Sequence, residues 1–188
     1  DYTTGTAPYS ITTSDVNGDG KPDMLVANSS SNTASVLINN GDGTFAAKVD
    51  YTTGTQPTSI TSSDVNSDGK PDMLVTNRLS VSASVFLNNG DGTFVARVNY
   101  TTGTNPWSIA TSDVDGDGKP DMLVANFNSS TASIFLNTST STLSSTPGNT
   151  QVTTTYTTPP DTDITSVLIL RSTSAITDFP VDGTTYAT

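Results

Sequence analysis

Asp15-Val-Asn-Gly-Asp-Gly-Lys-Pro-Asp23 occurs three times in the chain, with small changes. It returns as Asp64-Val-Asn-Ser-Asp-Gly-Lys-Pro-Asp72 and as Asp113-Val-Asp-Gly-Asp-Gly-Lys-Pro-Asp121, at a period of 49 residues. Oxygen-bearing side chains occupy loop positions 1, 3, 5 and 9, and glycine occupies position 6. A short loop of this kind wraps a hard cation: alternate residues point inward, and the glycine admits the sharp turn that brings the next backbone carbonyl round. Ten of the eighteen acidic residues lie in these loops, and the chain has no glutamate, so the acid is placed rather than scattered. A single copy would be read equally well as an Asx-type turn. Three copies keep the carboxylates at positions 1, 5 and 9 while the tip changes from Gly18 to Ser67, which favours metal ligation over a mere turn.

An EF-hand is excluded by the residues after the loop. That motif needs a bidentate glutamate at position 12 and then a helix. Here position 12 is Val26, Val75 or Val124, inside the apolar runs Met24-Leu-Val-Ala, Met73-Leu-Val-Thr and Met122-Leu-Val-Ala. These runs are continuous rather than alternating, as in a strand buried on both faces.

Composition narrows the rest. The chain has 188 residues, is only 32% hydrophobic and carries a net charge of −11. Its apolar residues sit in short runs, which favours many thin strands over one thick core. Three Ca²⁺ ions would return six positive charges to the carboxylates and leave about −5. Seven Lys and Arg form no basic patch, so nucleic acid is not an expected partner. The absence of cysteine and histidine removes disulfides, thiol chemistry and the commonest general base. No apolar run reaches eighteen residues, so membrane insertion is not expected. The chain opens mid-pattern, since Asp1-Tyr2 matches Asp50-Tyr51 and Asn99-Tyr100; this reading expects an N-terminus that was processed or cut from something longer.

Repeats run over residues 2–50, 51–99 and 100–137, and the first two agree at 35 of 49 positions. Each opens with Tyr-Thr-Thr-Gly-Thr-x-Pro, an irregular connection. A short strand such as Ser10-Ile-Thr leads into the acidic loop, and the Met-Leu-Val strand comes next. Asn28 to Thr33 and its equivalents read as an exposed polar turn, and Ala34-Ser-Val-Leu-Ile as the next strand. Asn39-Asn-Gly-Asp-Gly43 and Asn88-Asn-Gly-Asp-Gly92 read as hairpin turns, with Thr44 to Val49 and Thr93 to Val98 as last strands. The fold class expected is therefore all-β: tandem four-stranded antiparallel propeller-type blades, with a partial β-sandwich at the C-terminal end.

The Gly-x-x-Pro-x-Ser-Ile segment, the acidic loop with Met-Leu-Val-Ala-Asn, and Leu-Asn-Asn-Gly-Asp-Gly-Thr-Phe together resemble the FG-GAP or VCBS-type repeat, which includes the blades of integrin α-subunit propellers. The resemblance implies a calcium loop in each repeat. The first would use Asp15, Asn17, Asp19, the Lys21 carbonyl and Asp23; the second Asp64, Asn66, Asp68, the Lys70 carbonyl and Asp72. The third would use Asp113, Asp115, Asp117, the Lys119 carbonyl and Asp121, with one more negative charge because Asp115 replaces asparagine. The lysine ammonium groups are expected in solvent. Family propellers close with more blades than two complete ones and a third that lacks the Asn-Gly-Asp-Gly-Thr-Phe hairpin. The expected partners are thus other copies of the chain or missing segments of a longer one, which would cover the open strand edges.

Residues 138–150 read as a Ser/Thr-rich linker, and 151–188 as the first half of a fibronectin type III-like sandwich, with Thr165-Ser-Val-Leu-Ile-Leu-Arg171 its strongest strand. Trp107 stands where the earlier repeats have Tyr9 and Thr58, and reads as inter-blade packing or a ligand surface. Arg78, Leu79 and Val81, against Ser29, Ser30 and Asn32, are variable positions where specificity could live. Asn28, Asn99, Asn128 and Asn137 fit the N-glycosylation sequon, so glycans are a possible attachment. No nucleophile is paired with a base, so an enzyme is not expected. The function expected is an extracellular or cell-surface calcium-stabilised repeat protein with a structural or adhesive role, in a filament or oligomer. The alternative is a binding module of a larger secreted propeller that recognises a glycan or protein.

Overall fold

A computed structural model describes residues 1–138 in full and the backbone of 142–148 and 151–157. The chain divides into two compact units, Asp1–Asn137 and Thr138–Thr188. The first holds three antiparallel sheets in sequence order, with no helix among the described residues. Sheet one is β1 (Pro8–Ser14), β2 (Asp23–Asn28), β3 (Thr33–Leu37) and β4 (Val49–Thr52), each strand bonded to the next. Sheet two repeats the order with β5 (Pro57–Ser63), β6 (Asp72–Asn77), β7 (Ser82–Phe86) and β8 (Val98–Thr101). Sheet three has β9 (Pro106–Ser112), β10 (Asp121–Asn126) and β11 (Thr131–Phe135). In the second unit, β12 (Thr142–Gly148) pairs with β13 (Gln151–Thr157). So the stretch read as a linker contains a paired strand, and most of the fibronectin-like reading, residues 158–188, lies outside the described residues.

The three sheets stack face to face, and the period-2 geometry of a strand explains their sequences. In β6, Met73 and Val75 point at sheet one, where they join Leu25, Ala34, Val36, Ile60 and Phe86 in one core. Leu74, between them, points at sheet three and joins Ala83, Val85, Ile109, Met122 and Val124 in a second core. Every residue of β6 is buried because both faces are covered, and this is why the run is apolar throughout. Each fully buried Leu or Met contributes about 1.5–3 kcal/mol relative to exposure.

The fourth strand departs from the expectation. Phe45 and Phe94 make only single bridges, to Asn39 and Asn88, and strand pairing resumes at Val49 and Val98. The cause is the tyrosine that opens each repeat. Tyr51 accepts a hydrogen bond from the Phe94 backbone N–H at 3.2 Å, and its ring meets the Phe94 ring edge-on at 5.5 Å. Tyr2 holds Phe45 in the same way. The aromatic pair pulls this segment out of the ladder, and β4 then straddles the 50/51 boundary between sequence repeats.

The turn between β2 and β3 also differs from its reading. Asn28 is fully buried rather than part of an exposed turn. Its Oδ1 accepts from Gly5 N (3.1 Å), and its Nδ2 donates to Thr33 Oγ1 (3.1 Å) and Ser35 Oγ (2.8 Å). Asn77 does the same with Gly54, Ser82 and Ser84. A Cβ on Gly54 would come within 2.6 Å of the Asn77 side chain, so the glycine exists for this close approach. Burial also removes Asn28 as a glycan acceptor in the folded chain, whereas Asn99 and Asn128 are exposed.

Candidate metal centre

The acidic loops join the first two strands of each sheet at one end of the stack. Each is shaped by its own backbone. Asp19 N donates to both Asp15 Oδ1 and Asn17 Oδ1, each at 3.1 Å, so positions 1 and 3 aim oxygens at one point. Gly20 N donates to Asp15 Oδ2 at 2.7 Å. Asp68 N likewise binds Asp64 Oδ1 and Asn66 Oδ1, each at 3.1 Å, and Gly69 N binds Asp64 Oδ2. In the third loop Asp113 accepts from Gly116 N and Gly118 N, and Asp115 accepts from Asp117 N.

At loop position 4 the chain is left-handed in all three copies: Gly18, Ser67 and Gly116 have φ of 77°, 60° and 83°. Ser67 is thus a non-glycine residue in a conformation that disfavours a Cβ. Ser67→Gly is expected to raise stability by about 0.5–1 kcal/mol, read as an upward shift of the urea midpoint at constant m. A drop in the midpoint would contradict the assigned loop conformation.

The position-9 carboxylates behave differently from the others. Asp23, Asp72 and Asp121 are fully buried. Asp72 Oδ2 accepts from Val65 N at 2.9 Å and Oδ1 from Asn88 N at 2.8 Å. Asp23 accepts from Val16 N and Asn39 N, and Asp121 from Val114 N and Asn137 N. Each therefore ties the loop to the segment sixteen residues on, at Asn39 and Asn88 in what reads as a hairpin turn and at Asn137 in the repeat without one. Burial, with the nearby charges of Asp68 and Asp64 adding to it, pushes the Asp72 carboxyl above the ordinary range.

The lysines do more than the sequence implies. Lys21, Lys70 and Lys119 keep their side chains partly in solvent, but their ammonium groups also contact Asp19, Asp68 and Asp117 at 3.1, 3.5 and 3.1 Å. Hydrogen bonding to Lys21, side chain and backbone, holds Asp19 below the usual carboxylate range. The Lys21 and Lys70 stems lie across Gly41 and Gly90, where a Cβ would come within 2.5 and 2.8 Å of them.

The donor set suits a hard divalent cation. Ligand oxygens of Asp113, Asp115 and Asp117 all lie within 4.8 Å of one another. Three exposed carboxylates so close repel, and a cation relieves that repulsion. Asp121 stands outside this cluster. Asn17 and Asn66 take the Asp115 position in the other loops, supplying a neutral oxygen there.

The stacked sheets and acidic loops agree with the family comparison. The model of the FG-GAP-like repeat matches residues 15–75 and 64–124, and the chain belongs to that family. No curated protein matches it. Among solved structures it is similar to a chain of the Photorhabdus luminescens Tc holotoxin pore, at 17% identity and a TM-score of 0.47 over 71% of this chain. The match spans 7% of that much longer neighbour.

Proposed function

We propose that the chain is a calcium-stabilised structural repeat protein of the extracellular space or cell surface, whose blades continue into further repeats supplied by other copies or by a longer chain. The observation that supports this is the rule linking one sheet to the next. Asn88 Nδ2 donates to Val16 O at 3.0 Å, and Asn137 Nδ2 donates to Val65 O at 2.7 Å. The first and second acidic loops are thereby each clasped by the repeat after it. Apolar faces obey the same translation: Val16 and Val36 meet Ile60, Met73 and Phe86.

The rule leaves complementary halves on the outer sheets. Val114, Ile134 and Leu136, counterparts of Val16, Val36 and Ile38, are 46%, 56% and 48% exposed. Ile11, the counterpart of buried Ile60, is 61% exposed. One outer face thus fits the other of a second copy, head to tail. Such a contact builds a filament when the rotation does not close and a ring when it does. Adhesive or filamentous roles follow from that growth.

Calcium would be held by Asp15, Asn17 and Asp19, by their equivalents in the other loops, by the Lys21, Lys70 and Lys119 carbonyls, and by the free lone pairs of Asp23, Asp72 and Asp121. It would supply charge neutralisation and stiffness, not chemistry, and we read the chain as no enzyme. Sites of modest affinity fill at the millimolar calcium of extracellular fluid. Glycans on Asn99 or Asn128 fit the same location; an intact mass equal to that of the polypeptide would remove them.

Negative-stain imaging and light scattering test the assembly. In calcium the chain is expected to form filaments or a fixed oligomer, and Ile134→Arg to reduce it to monomer by placing a charge in the contact. A monodisperse wild-type monomer at tens of micromolar protein, with and without calcium, would overturn self-assembly.

A further inference from the structure

The end of the stack away from the acidic loops carries a second cluster, where the repeats differ from one another. Ala7, Tyr9 and Ser29 of repeat one become Gln56, Thr58 and Arg78 in repeat two, and Asn105, Trp107 and Phe127 in repeat three. These positions converge in space. The Tyr9 and Trp107 rings meet edge-on at 5.8 Å, across the small, buried Thr58 of the sheet between them. Trp107 and Phe127 lie 5.9 Å apart, and the Arg78 guanidinium sits 5.3 Å over the Trp107 ring. Arg78 is fixed by Asn105 Oδ1, which accepts from its Nε at 2.5 Å, and by Gln56 Oε1, which accepts from Nη1 at 3.3 Å.

Folding does not account for this cluster. Tyr9, Trp107 and Phe127 are 54%, 38% and 70% exposed, whereas the sheet cores are closed without them. Nor does stacking: the residues that carry the sheet-to-sheet rule keep their type in each repeat, asparagine or aliphatic, and these do not. Among the described residues Arg78 joins no ion pair, and two amide contacts leave most of its five N–H donors unused. An unpaired guanidinium in a chain of net charge −11 asks for an anion.

We propose that Tyr9, Arg78, Trp107 and Phe127 form a binding site for a saccharide that carries a carboxylate, such as a uronic or sialic acid unit. The aromatic rings offer flat apolar surface to the C–H face of a sugar ring. Arg78, held by the Asn105 and Gln56 amides, lies over the Trp107 ring, and its remaining donors would be left unsatisfied under a purely apolar partner. Arg78 supplies the bidentate donor that a carboxylate takes up. The site lies at the far end of seven-residue strands from the calcium loops, about 20 Å away, and does not rest on the metal reading.

Trp107 is the chain's single tryptophan, so its fluorescence reports the site directly. The full chain, at buffered free calcium, is titrated with sialyllactose and trigalacturonate, and with lactose and galactotriose as neutral counterparts. A saturable change in emission is expected with the acidic sugars, with the neutral ones at least about tenfold weaker. Arg78→Gln is expected to weaken acidic-sugar binding by about tenfold or more and to abolish that preference. Phe127→Ser, at an exposed position that leaves the cores intact, is expected to weaken both classes. Equal response to acidic and neutral sugars, no saturation with any of the four, or a wild-type response from both variants would overturn the proposal. So would saturation by phosphatidylserine vesicles in the absence of any sugar response.

Discussion

In excess chelator the first unit is expected to melt roughly 20 °C below its calcium-loaded form. The size comes from linkage. A ligand at a hundred times its Kd stabilises the folded state by about 2.7 kcal/mol, and three independent loops together give about 8 kcal/mol. For a unit of this size, each kcal/mol moves Tm by about 2–4 °C. The physical source is visible in the third loop, where Asp113, Asp115 and Asp117 crowd within 4.8 Å and Lys119 pairs with Asp117. Replacing Asp115 by asparagine relieves part of the repulsion. It is therefore expected to raise Tm in chelator while lowering it in calcium, an opposite-sign pair that a merely structural aspartate would not produce. Differential scanning calorimetry at several calcium concentrations reads both effects. A Tm independent of calcium from chelator to several millimolar would contradict them.

Asn77→Ala is expected to cost about 3 kcal/mol, the largest effect of a single truncation outside the apolar cores. Its side chain is fully buried and makes three hydrogen bonds: from Gly54 N at 2.9 Å, and to Ser82 Oγ and Ser84 Oγ at 3.2 and 2.8 Å. Ser84 in turn donates to Asn99 Oδ1 at 2.7 Å, so the truncation opens a chain of polar groups that begins in the buried interior. Asn126→Ala is the internal control. Its Oδ1 has no partner among the described residues, and the Gly103 N–H turns to Ser133 Oγ instead. Its loss is expected to cost about 1 kcal/mol, and the difference between the two variants, read from urea midpoints at constant m, tests the network rather than the residue type. Equal costs would mean that the Gly54 contact contributes nothing.

The sequence carries the acidic loops and the double-sided strand plainly, because both are local. Alternating ligand oxygens and a continuous apolar run need no knowledge of neighbours. Asn28, Asn77 and Asn126 are misleading in sequence because asparagine beside a turn has two meanings, exposed cap or buried clasp, and only the partner decides. The partner is a glycine 23 residues earlier, Gly5 or Gly54, and the recurrence of both residues in each repeat is the signal that points to it. The displaced fourth strand has a similar origin. Thr44 to Val49 has a strand's composition, but Tyr2 holds Phe45, from 43 residues away, out of the ladder. The role of Asp23 as a tie to Asn39 N is hidden for the same reason, since a carboxylate at position 9 suits a metal loop whether or not backbone amides also reach it.

Calcium uptake by the purified chain, measured by isothermal titration calorimetry after exhaustive chelation, tests the central claim most directly. The account predicts three bound ions per chain, and two when Asp113 and Asp117 are both replaced by asparagine. No uptake at millimolar free calcium, or a stoichiometry unchanged by that double substitution, would contradict it.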